Sequence, residues 1–524
     1  MQYALGADIG TEGTKVLVID ERGRIVKRTY SSYTFDVPKS GWAEQNPEIW
    51  WNAFRSCLGD LWAQGISSTN IVAVGAAGQM HSSVLLDETG EAVMNSILWN
   101  DTRTKAVCDQ TLRSVGQERY QTLTCNSLLP GFTLGKLLWV RTHAPEVYER
   151  IRHILMPKDF INHRLTGRWT ADVSDASGTG IFDVRERRWQ SSLMTELDLP
   201  QAWFPPVFES GAIIGSVTPA ASDATGLRTG TAVIAGAADN AAAAVGMGIV
   251  DVGRGLISIG TSGVILSCLE EAPSPHKAAT QNPTLHVFCH AIPEMWYAMG
   301  VTLAAGASLR WFRDSMGHGA SYDSLMDAAA QSEPGSNGLI YLPFLAGERT
   351  PYNSDQLRAG FIGIDLQHKP AHFVRSVLEG VAYSLRDCLE VVQSLNQNVD
   401  NVDEFVVTGG VVNSPLWLQI LSDVLDRPLA VRSYSEGAAY GAAALAGLSQ
   451  GFWTHIDDLV KDQSGLAKDQ PGLANDQSAL ARNQTDPSNE RSGVEKLVPS
   501  PGVAVYREGY KRYKAYAQSF LHLA

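Results

Sequence analysis

One carboxylate, that of Asp239, stands between a glycine loop and a run of alanines. Residues 235–244 read AGAADNAAAA, and the alanines favour a helix that begins near the aspartate. A carboxylate in such a place could accept the proton of a substrate hydroxyl as that hydroxyl attacks a phosphoryl group. Aspartate is also a favoured helix N-cap, a role worth about 1 kcal/mol without any chemistry. The residue pattern alone leaves both interpretations open.

Polar side chains follow two apolar segments that resemble buried strands. Met80 and His81 come after residues 71–75 (IVAVG), and Asp101 comes after a second apolar run. Open α/β sheets bind ligands at the ends of such strands. His81 and Asp101 could each hydrogen-bond a sugar hydroxyl, with Met80 as an apolar face. A single histidine is nevertheless more often structural.

Two glycine turns of nearly the same sequence occur about 250 residues apart. Residues 9–13 read IGTEG and residues 259–263 read IGTSG, each between short β-prone segments, which is typical of a β-hairpin. Backbone amides in such turns can bind phosphate oxygens, and the hydroxyls of Thr11 and Thr261 could add to them. The alternative is that both are ordinary hairpins, since motifs this short often match by chance.

The two turns differ in the residue before them. Asp8 ends the first strand, where a carboxylate could hold a hydrated Mg²⁺ against phosphates. Ser258 occupies the equivalent place in the second copy.

The elements that position these residues are predicted to form two domains. The chain has 524 residues, more than a single core of roughly 250–300 residues accommodates. The repeated hairpin predicts two domains of related design that face one cleft, residues 1–250 and 251–524. Apolar strands such as 71–75 and 405–410 alternate with helical stretches such as 370–395, which indicates an α/β fold.

A polar segment near residues 461–496 interrupts the second half. It contains KDQSGLA, KDQPGLA and NDQSALA, a repeat of seven residues. Each repeat has one leucine, and Gly465 and Pro471 oppose a continuous helix, so a surface insertion is favoured over a coiled coil. The tail from Tyr506 is amphipathic and is expected to pack on the second domain.

Composition excludes several function classes. Hydrophobic residues make up 44% and charged residues 19%, and no apolar run reaches the roughly 18 residues of a membrane span. The net charge of −13 opposes binding to nucleic acid. Six scattered cysteines indicate reduced, buried thiols. The start of the chain does not resemble a secretory signal, so we expect a cytoplasmic protein.

Two longer motifs carry a resemblance that covers nearly the whole chain. Residues 131–140 (GFTLGKLLWV) and residues 359–379, from AGFIGI to LE, resemble the two signatures of the FGGY carbohydrate kinases. The resemblance implies an actin-like (ribonuclease H-like) α/β fold with two domains, the first binding sugar and the second binding ATP. It also implies ATP and Mg²⁺ as cofactors, a small sugar as partner, and no nucleic acid or membrane; a homodimer is compatible with it.

The substrate-side motifs resemble the branch of the family that phosphorylates D-xylulose at O5. These motifs are GQMH (78–81), ILWND (97–101), LMPKDF (155–160), DVSDASGT (172–179) and GAADNAAAAVG (236–246). Carried over by position, Asp239 matches the catalytic base and Met80 and His81 match the sugar contacts, while Asn240 adjoins the base and is a further candidate sugar contact. Asp101 is a candidate from its place after the second apolar run. Asp8 matches the acidic residue associated with metal and phosphate.

On the nucleotide side, the resemblance implies contacts from both halves of the chain. They are Thr11, Thr261, Gly306, Arg310, Gly409, Gly410 and Asn413.

Two departures from the family pattern stand at Glu12, where a phosphate donor is replaced by a negative charge, and at Ser82, which is expected to narrow the sugar pocket. Rival interpretations are a kinase for ribulose, gluconate, rhamnulose or fuculose, an actin-like ATPase switch, and a sugar-responsive regulator. The regulator would want a basic DNA-reading module, for which the sequence shows no clear candidate.

Overall fold

Two seven-stranded mixed sheets, one in each half of the chain, form the framework of the molecule. The computed structural model describes residues 1–395, 402, 404–431, 437–456, 458–459 and 495–523. The strands of the first sheet are β1 (Tyr3–Ile9), β2 (Gly13–Asp20), β3 (Ile25–Ser32), β4 (Ile71–Gly78), β5 (Ile213–Ser216), β6 (Ala232–Ile234) and β7 (Ala237–Ala238). Those of the second are β8 (Arg254–Ile259), β9 (Gly263–Leu269), β10 (His286–Cys289), β11 (Trp296–Thr302), β12 (Glu404–Gly409), β13 (Leu429–Val431) and β14 (Glu495–Leu497).

The two sheets share one pairing pattern. In the first, β1 pairs antiparallel with β2 and parallel with β4. In the second, β8 pairs antiparallel with β9 and parallel with β12. Both predicted hairpins are therefore confirmed, and so is the α/β class. The parallel strand β4, with IVAVGAAG, is buried on both faces and consists of small and β-branched residues.

Helices cover the faces of both sheets. The longest is the predicted helix at residues 370–395, whose buried face is apolar at helical spacing. The helices of at least eight residues are α1 (Pro47–Ala63), α2 (Lys105–Val115), α3 (Gln117–Thr124), α4 (Thr133–His143), α5 (Pro157–Thr166), α6 (Asp239–Gly246), α7 (Gly306–Ser315), α8 (Tyr322–Ala330), α9 (Pro370–Leu395), α10 (Pro415–Leu425), α11 (Gly437–Ser449) and α12 (Val503–Leu523).

Helix α11 returns from the second half of the chain to the first sheet, where it lies against β1 and α6. Glycines permit the close approach: a Cβ on Gly6 would lie 2.0 Å from the carbonyl oxygen of Ala439, and one on Gly441 would lie 1.8 Å from that of Ala242. The chain therefore crosses between the two sheets more than once. A division near residue 250 stays a prediction.

The C-terminal helix α12 packs on the second half, as expected. Tyr506, Tyr510 and Tyr513 are buried there, and the Tyr510 hydroxyl donates to Asp387 of α9 at 2.6 Å. Most of the repeat segment at 461–496 lies outside the described residues. All six cysteines are buried and unpaired. Among the helices of the described ranges, none combines the length and the apolar character needed to span a membrane.

Candidate active site

The carboxyl ends of β1, β4 and β7 lie side by side at one edge of the first sheet. Ile9 pairs with Gly78, and Gly78 pairs with Ala238, all in parallel orientation. Residues at the ends of these strands are therefore neighbours, at the edge where open α/β sheets bind ligands. The predicted residues that meet here are Asp8, Thr11, Met80, His81, Asp239 and Asn240.

Asp239 is the first residue of α6, and the N-cap is Ala238. Its Oδ1 accepts hydrogen bonds from the backbone N (2.6 Å) and the side-chain Nδ2 (3.0 Å) of Asn240. Burial first, and then the negative charge of Asp8, together raise the pKa of Asp239 to about 7. Asp239 is thus not the cap. A carboxyl group with a pKa near neutrality suits a proton acceptor.

Asp8 carries the second carboxylate of this edge. Burial raises its pKa to about 6, and the positive charge of Lys15 on the adjacent strand opposes that shift. Asp8 lies near the end of β1, and Asp239 directly follows β7, which is two strands away, roughly 10 Å by strand spacing. Burial is the main cause of both raised pKa values, and a cation bound beside these carboxylates would favour their ionised forms.

The donor set fits a hydrated Mg²⁺ better than an enclosed metal. Within the described ranges, no three His, Cys, Asp or Glu side chains are grouped so that they could hold a metal ion. Mg²⁺ commonly binds through one or two carboxylates and keeps several waters or phosphate oxygens as its other ligands. Asp8 is the residue that would hold it here.

Met80 and His81 line the space beside Asp239. The Nδ2 of Asn240 lies 3.8 Å from the Sδ of Met80, so the sugar-side segment and the start of α6 are in contact. His81 has a backbone φ of 68°. This left-handed conformation is uncommon outside glycine and clusters at functional sites.

The imidazole of His81 is neutral and oriented by its neighbours. Its Nδ1–H donates to the carbonyl oxygen of Gly178 at 2.6 Å, and the ring stacks on Phe132 with centroids 4.7 Å apart. Burial lowers the pKa of His81 to about 3. With Nδ1 protonated, Nε2 is left as a hydrogen-bond acceptor. The Nζ of Lys136 donates to the carbonyl oxygen of His81 at 2.7 Å and holds the segment in place.

Gln79 links the first hairpin to the segment that carries Met80 and His81. The sequence did not indicate this role of Gln79. Its Oε1 accepts from the hydroxyls of Thr11 (3.3 Å) and Ser82 (3.1 Å), and its Nε2 donates to the carbonyl oxygen of Gly10 at 3.2 Å. The hydroxyl of Ser82 is therefore directed at Gln79. Glu12 is exposed at the hairpin turn. The position of Gln79 between a glycine and Met80 was its only signal.

Asp101 lies in a separate network. Its carboxylate forms an ion pair with Arg103 at 2.7 Å and accepts from the backbone N of Ala43 at 2.6 Å. The side chain is fully buried. Asp101 thus anchors the loop that carries Trp99, whose Nε1 donates to the Thr11 hydroxyl at 3.0 Å. Among the described residues, no hydrogen bond or ion pair joins Asp101 to Asp239.

The second hairpin forms a similar edge with α7. Gly306, the first residue of α7, donates its backbone N–H to the carbonyl oxygen of Gly260 at 2.9 Å, and a Cβ at Gly306 would lie 2.4 Å from that oxygen. Arg310, one turn further along α7, donates from Nη2 to the Thr261 hydroxyl at 3.0 Å. The structure therefore brings together the predicted residues Thr261, Gly306 and Arg310.

The glycine pair at 409–410 lies beside this hairpin. Gly409 pairs with Ile259 and has a φ of 93°, and a Cβ there would lie 2.1 Å from the Ile259 carbonyl oxygen. A Cβ at Gly410 would meet nothing within 4 Å, so this backbone is open to a ligand. Asn413 is exposed at the end of the following 3-10 turn.

A buried charge cluster behind Asp239 was also missed. The ammonium of Lys158 forms ion pairs with Asp159, with Asp172 at 2.8 Å and with Asp175 at 3.8 Å. Burial alone would lower the pKa of Lys158, but the three aspartates raise it. Ser174 connects the cluster to the site, since it donates to Asp172 and accepts from the backbone N of Ala238 at 2.9 Å. The motifs LMPKDF and DVSDASGT were the available signal.

Family models match both halves of the chain. The N-terminal domain model of the FGGY family of carbohydrate kinases matches residues 3–246, and the C-terminal domain model of that family matches residues 255–449. The chain belongs to the FGGY family of carbohydrate kinases. It is therefore a phosphotransferase, and the interval between the two matched regions lies between β7 and β8.

Relatives of this FGGY kinase extend over most of its length. A xylulose kinase of Bacillus subtilis (strain 168) is 36% identical over 459 residues, covering 87% of this chain and 90% of the relative. A xylulose kinase of Escherichia coli (strain K12) is 38% identical over 443 residues, covering 84% and 89%. The crystal structure of a xyloylose kinase from Brucella ovis superposes with a TM-score of 0.86 at 31% identity, covering all of both chains.

Proposed function

We propose that this kinase transfers the γ-phosphoryl group of ATP to O5 of D-xylulose, with Asp239 as general base. The observation that carries the proposal is the position of Asp239. Its carboxylate has a pKa raised to about 7 by burial, and Asn240, Met80 and His81 adjoin it at the carboxyl edge of the first sheet. The similarity to relatives called xylulose kinases supports D-xylulose over the other sugars as the proposed substrate.

In the proposed reaction, Asp239 accepts the proton of the O5 hydroxyl as that oxygen bonds to the γ-phosphorus. The bond from the γ-phosphorus to the bridging oxygen of ADP breaks, and ADP leaves with those electrons. The transition state of phosphoryl transfer is loose, so positioning and electrostatic stabilisation contribute more than the strength of the base. Mg²⁺ near Asp8 would neutralise charge on the phosphates when bound.

The two glycine hairpins supply the proposed binding surface for ATP. Open backbone at Gly410 and the hairpin amides around Gly260 would bind phosphate oxygens, and Arg310 would add positive charge. Met80, His81 and Asn240 would bind the sugar. Asp101 would act indirectly, through the loop of Trp99. We also propose a role in pentose catabolism in the cytoplasm.

The test is ADP release by purified protein with D-xylulose, D-ribulose, D-gluconate, L-rhamnulose and L-fuculose. We expect the highest kcat/KM with D-xylulose and a 5-phosphate product by nuclear magnetic resonance. Asp239→Asn should abolish turnover while ATP binding persists. Asp198→Asn is a matched control, because Asp198 is exposed and has the positive φ that asparagine tolerates.

Each rival predicts a different result. Sugar-independent ADP release would indicate an ATPase switch, and sugar binding without ADP release would indicate a regulator. A higher kcat/KM with another sugar would replace the substrate and retain the reaction. An active Asp239→Asn variant would overturn the assignment of the base.

A further inference from the structure

Arg349 lies in a turn of the second half of the chain that is hydrogen-bonded to β11 and to the segment just before β10. The next residue, Thr350, donates its backbone N–H to the carbonyl oxygen of Val301 and accepts from the backbone N of Val301, both at 3.1 Å. The Thr350 hydroxyl donates to the carbonyl oxygen of Thr284 at 3.3 Å. Thr284 stands two residues before His286, the first residue of β10, so the turn is held beside that strand.

The carboxylate next to Arg349 does not pair with its guanidinium. Glu348 accepts from the Thr302 hydroxyl (2.7 Å) and from the backbone N atoms of Leu303 (2.9 Å) and Arg349 (2.7 Å). These bonds occupy both carboxylate oxygens. Among the residues that the structure describes, no hydrogen bond or ion pair is made by the guanidinium itself.

A half-buried guanidinium without an acceptor is unusual. Burial lowers the pKa of Arg349, so the group has lost solvent. The guanidinium stays protonated at ordinary pH and keeps its five N–H donors. Donors that lack acceptors in a desolvated place cost folding free energy. Such a group is well suited to oxygen atoms that a ligand supplies.

The aromatic contacts show which part of the site Arg349 adjoins. His286 lies 5.7 Å from Phe132, and the ring of Phe132 stacks on His81. Phe288, also on β10, lies 5.9 Å from His81. In accord with this, the charge of Arg349 contributes to lowering the pKa values of His81 and His286, after the larger effect of burial.

The strand that carries His286 and Phe288 thus links the turn of Arg349 to the His81 side of the site. Asp239 adjoins Asn240, which lies 3.8 Å from Met80, and after burial the charge that raises the pKa of Asp239 is that of Asp8. A ketopentose whose O5 lies at Asp239 would direct its C1–C2 hydroxyketone toward His81. A hydroxyketone offers one carbonyl acceptor and one hydroxyl that can donate.

We propose that the guanidinium of Arg349, in the second half of the chain, donates a hydrogen bond to the C2 carbonyl oxygen of the ketose. Nε2 of His81 accepts a hydrogen bond from the C1 hydroxyl. This inference rests on the proposed function, and it makes Arg349 a residue that selects ketoses over their polyols. The contact joins the two halves of the molecule through the substrate. Sugar binding would then favour the arrangement in which both halves contact it.

The test compares Arg349→Met with the unchanged enzyme on D-xylulose and on xylitol, which has a hydroxyl in place of the carbonyl. Binding is measured by calorimetry, and kcat and KM are measured by ADP release. A hydrogen bond to a charged group predicts a loss of about 10- to 100-fold in D-xylulose affinity. The loss should appear in KM for the sugar. Xylitol affinity should fall by less than about 3-fold, and KM for ATP should not change.

Two variants serve as controls. Arg349→Lys keeps the charge but not the planar pair of donors, so its affinity for D-xylulose should lie between those of Arg349→Met and the unchanged enzyme. Arg358→Met removes an exposed arginine nine residues away and should change neither affinity. Thermal unfolding of each variant separates loss of folding from loss of binding, and Arg349→Lys provides the comparison if Arg349→Met does not fold.

Three results would overturn the proposal. Equal losses for D-xylulose and xylitol would indicate a structural role, a raised KM for ATP would indicate a phosphate contact, and no loss would show that the guanidinium does not touch the sugar. If the unchanged enzyme prefers another ketose, the proposed substrate fails separately, and the same comparison is made between that ketose and its polyol.

Discussion

The two glycine hairpins share one pattern of strand pairing and differ in the charged side chains around their turns. In the first, Asp8 precedes the turn, and its negative charge acts on Asp239 at the same sheet edge. In the second, Ser258 replaces the aspartate and Arg310 reaches the turn from α7. A duplicated scaffold has therefore been given two roles. The second hairpin suits an anion directly, whereas the first needs a cation between its carboxylates and a phosphate.

The threonine hydroxyls differ in the same sense. The Thr11 hydroxyl donates its proton to Gln79 and accepts from Trp99. The Thr261 hydroxyl accepts from Arg310, so its own proton remains available for a phosphate oxygen. Thr11 thus belongs to the sugar side of the molecule through Gln79, although both threonines stand at the same place in their hairpins.

Removing the charge from the first hairpin should have the largest effect. We expect Asp8→Asn to lower kcat by about 100- to 1,000-fold, the range for loss of one preorganised electrostatic group. Titrating the rate against Mg²⁺ should show a weakened metal dependence. Ser258→Asn places the same side chain at the equivalent position and is the matched control, with an expected change below about 3-fold. Equal losses in both variants would contradict the asymmetry.

Removing the charge from the second hairpin should affect nucleotide binding instead. Arg310→Met is expected to raise KM for ATP by about 10-fold, because a hydrogen bond to a charged group is lost, while KM for the sugar stays constant. Arg310→Lys should recover part of the loss. Arg313→Met, on the same helix and engaged with Asp314 at 2.7 Å, is the control. A change confined to KM for the sugar would contradict the assignment of Arg310 to nucleotide binding.

The coupling between the carboxylates predicts a pH profile. The proton acceptor must be ionised, so kcat/KM should rise with pH through about 7, the pKa of Asp239, and then level off. Asp8→Asn removes the neighbouring negative charge and should move this limb to lower pH. An unchanged limb would mean that Asp8 does not act on Asp239.

The same shift has a consequence for stability. Between the ordinary carboxyl pKa of 3.8 and about 7, native Asp239 holds a proton that the unfolded chain has lost. The free energy of unfolding should therefore fall as pH rises through this window, and Asp239→Asn should flatten that slope. Urea unfolding of the ligand-free protein at several pH values measures this dependence of the free energy of unfolding on pH.

The framework was predictable because its signals are local. Short β-prone runs around IGTEG and IGTSG specify hairpins at any position, and the apolar spacing of residues 370–395 specifies one long helix. The return of α11 to the first sheet was not predictable. It depends on glycines at positions 6 and 441 whose requirement appears only when two distant segments approach.

In the site, residues at strand ends were predictable and their partners were not. Parallel pairing places Met80 beside Asp239 once the strands are known, but the choice between base and cap at Asp239 depended on one residue of helix register. In the sequence Asp101 looked equally available to bind sugar, yet in the structure its carboxylate is ion-paired with Arg103. The motifs around Lys158 did not show that three buried aspartates surround it. Arg349 carried no sequence signal of its role, since that role is defined by the lack of a described partner.

The two threonines give the finest test of the comparison, with the smallest expected effect. Thr11→Val and Thr261→Val keep the side-chain shape and each removes one hydroxyl, worth about 1 kcal/mol or roughly 5-fold. Thr11→Val should raise KM for the sugar, because Gln79 loses a donor beside Met80. Thr261→Val should raise KM for ATP. Steady-state kinetics with each substrate varied in turn distinguish the two, and an equal rise in KM for ATP in both variants would show that the hairpins serve the phosphates alike.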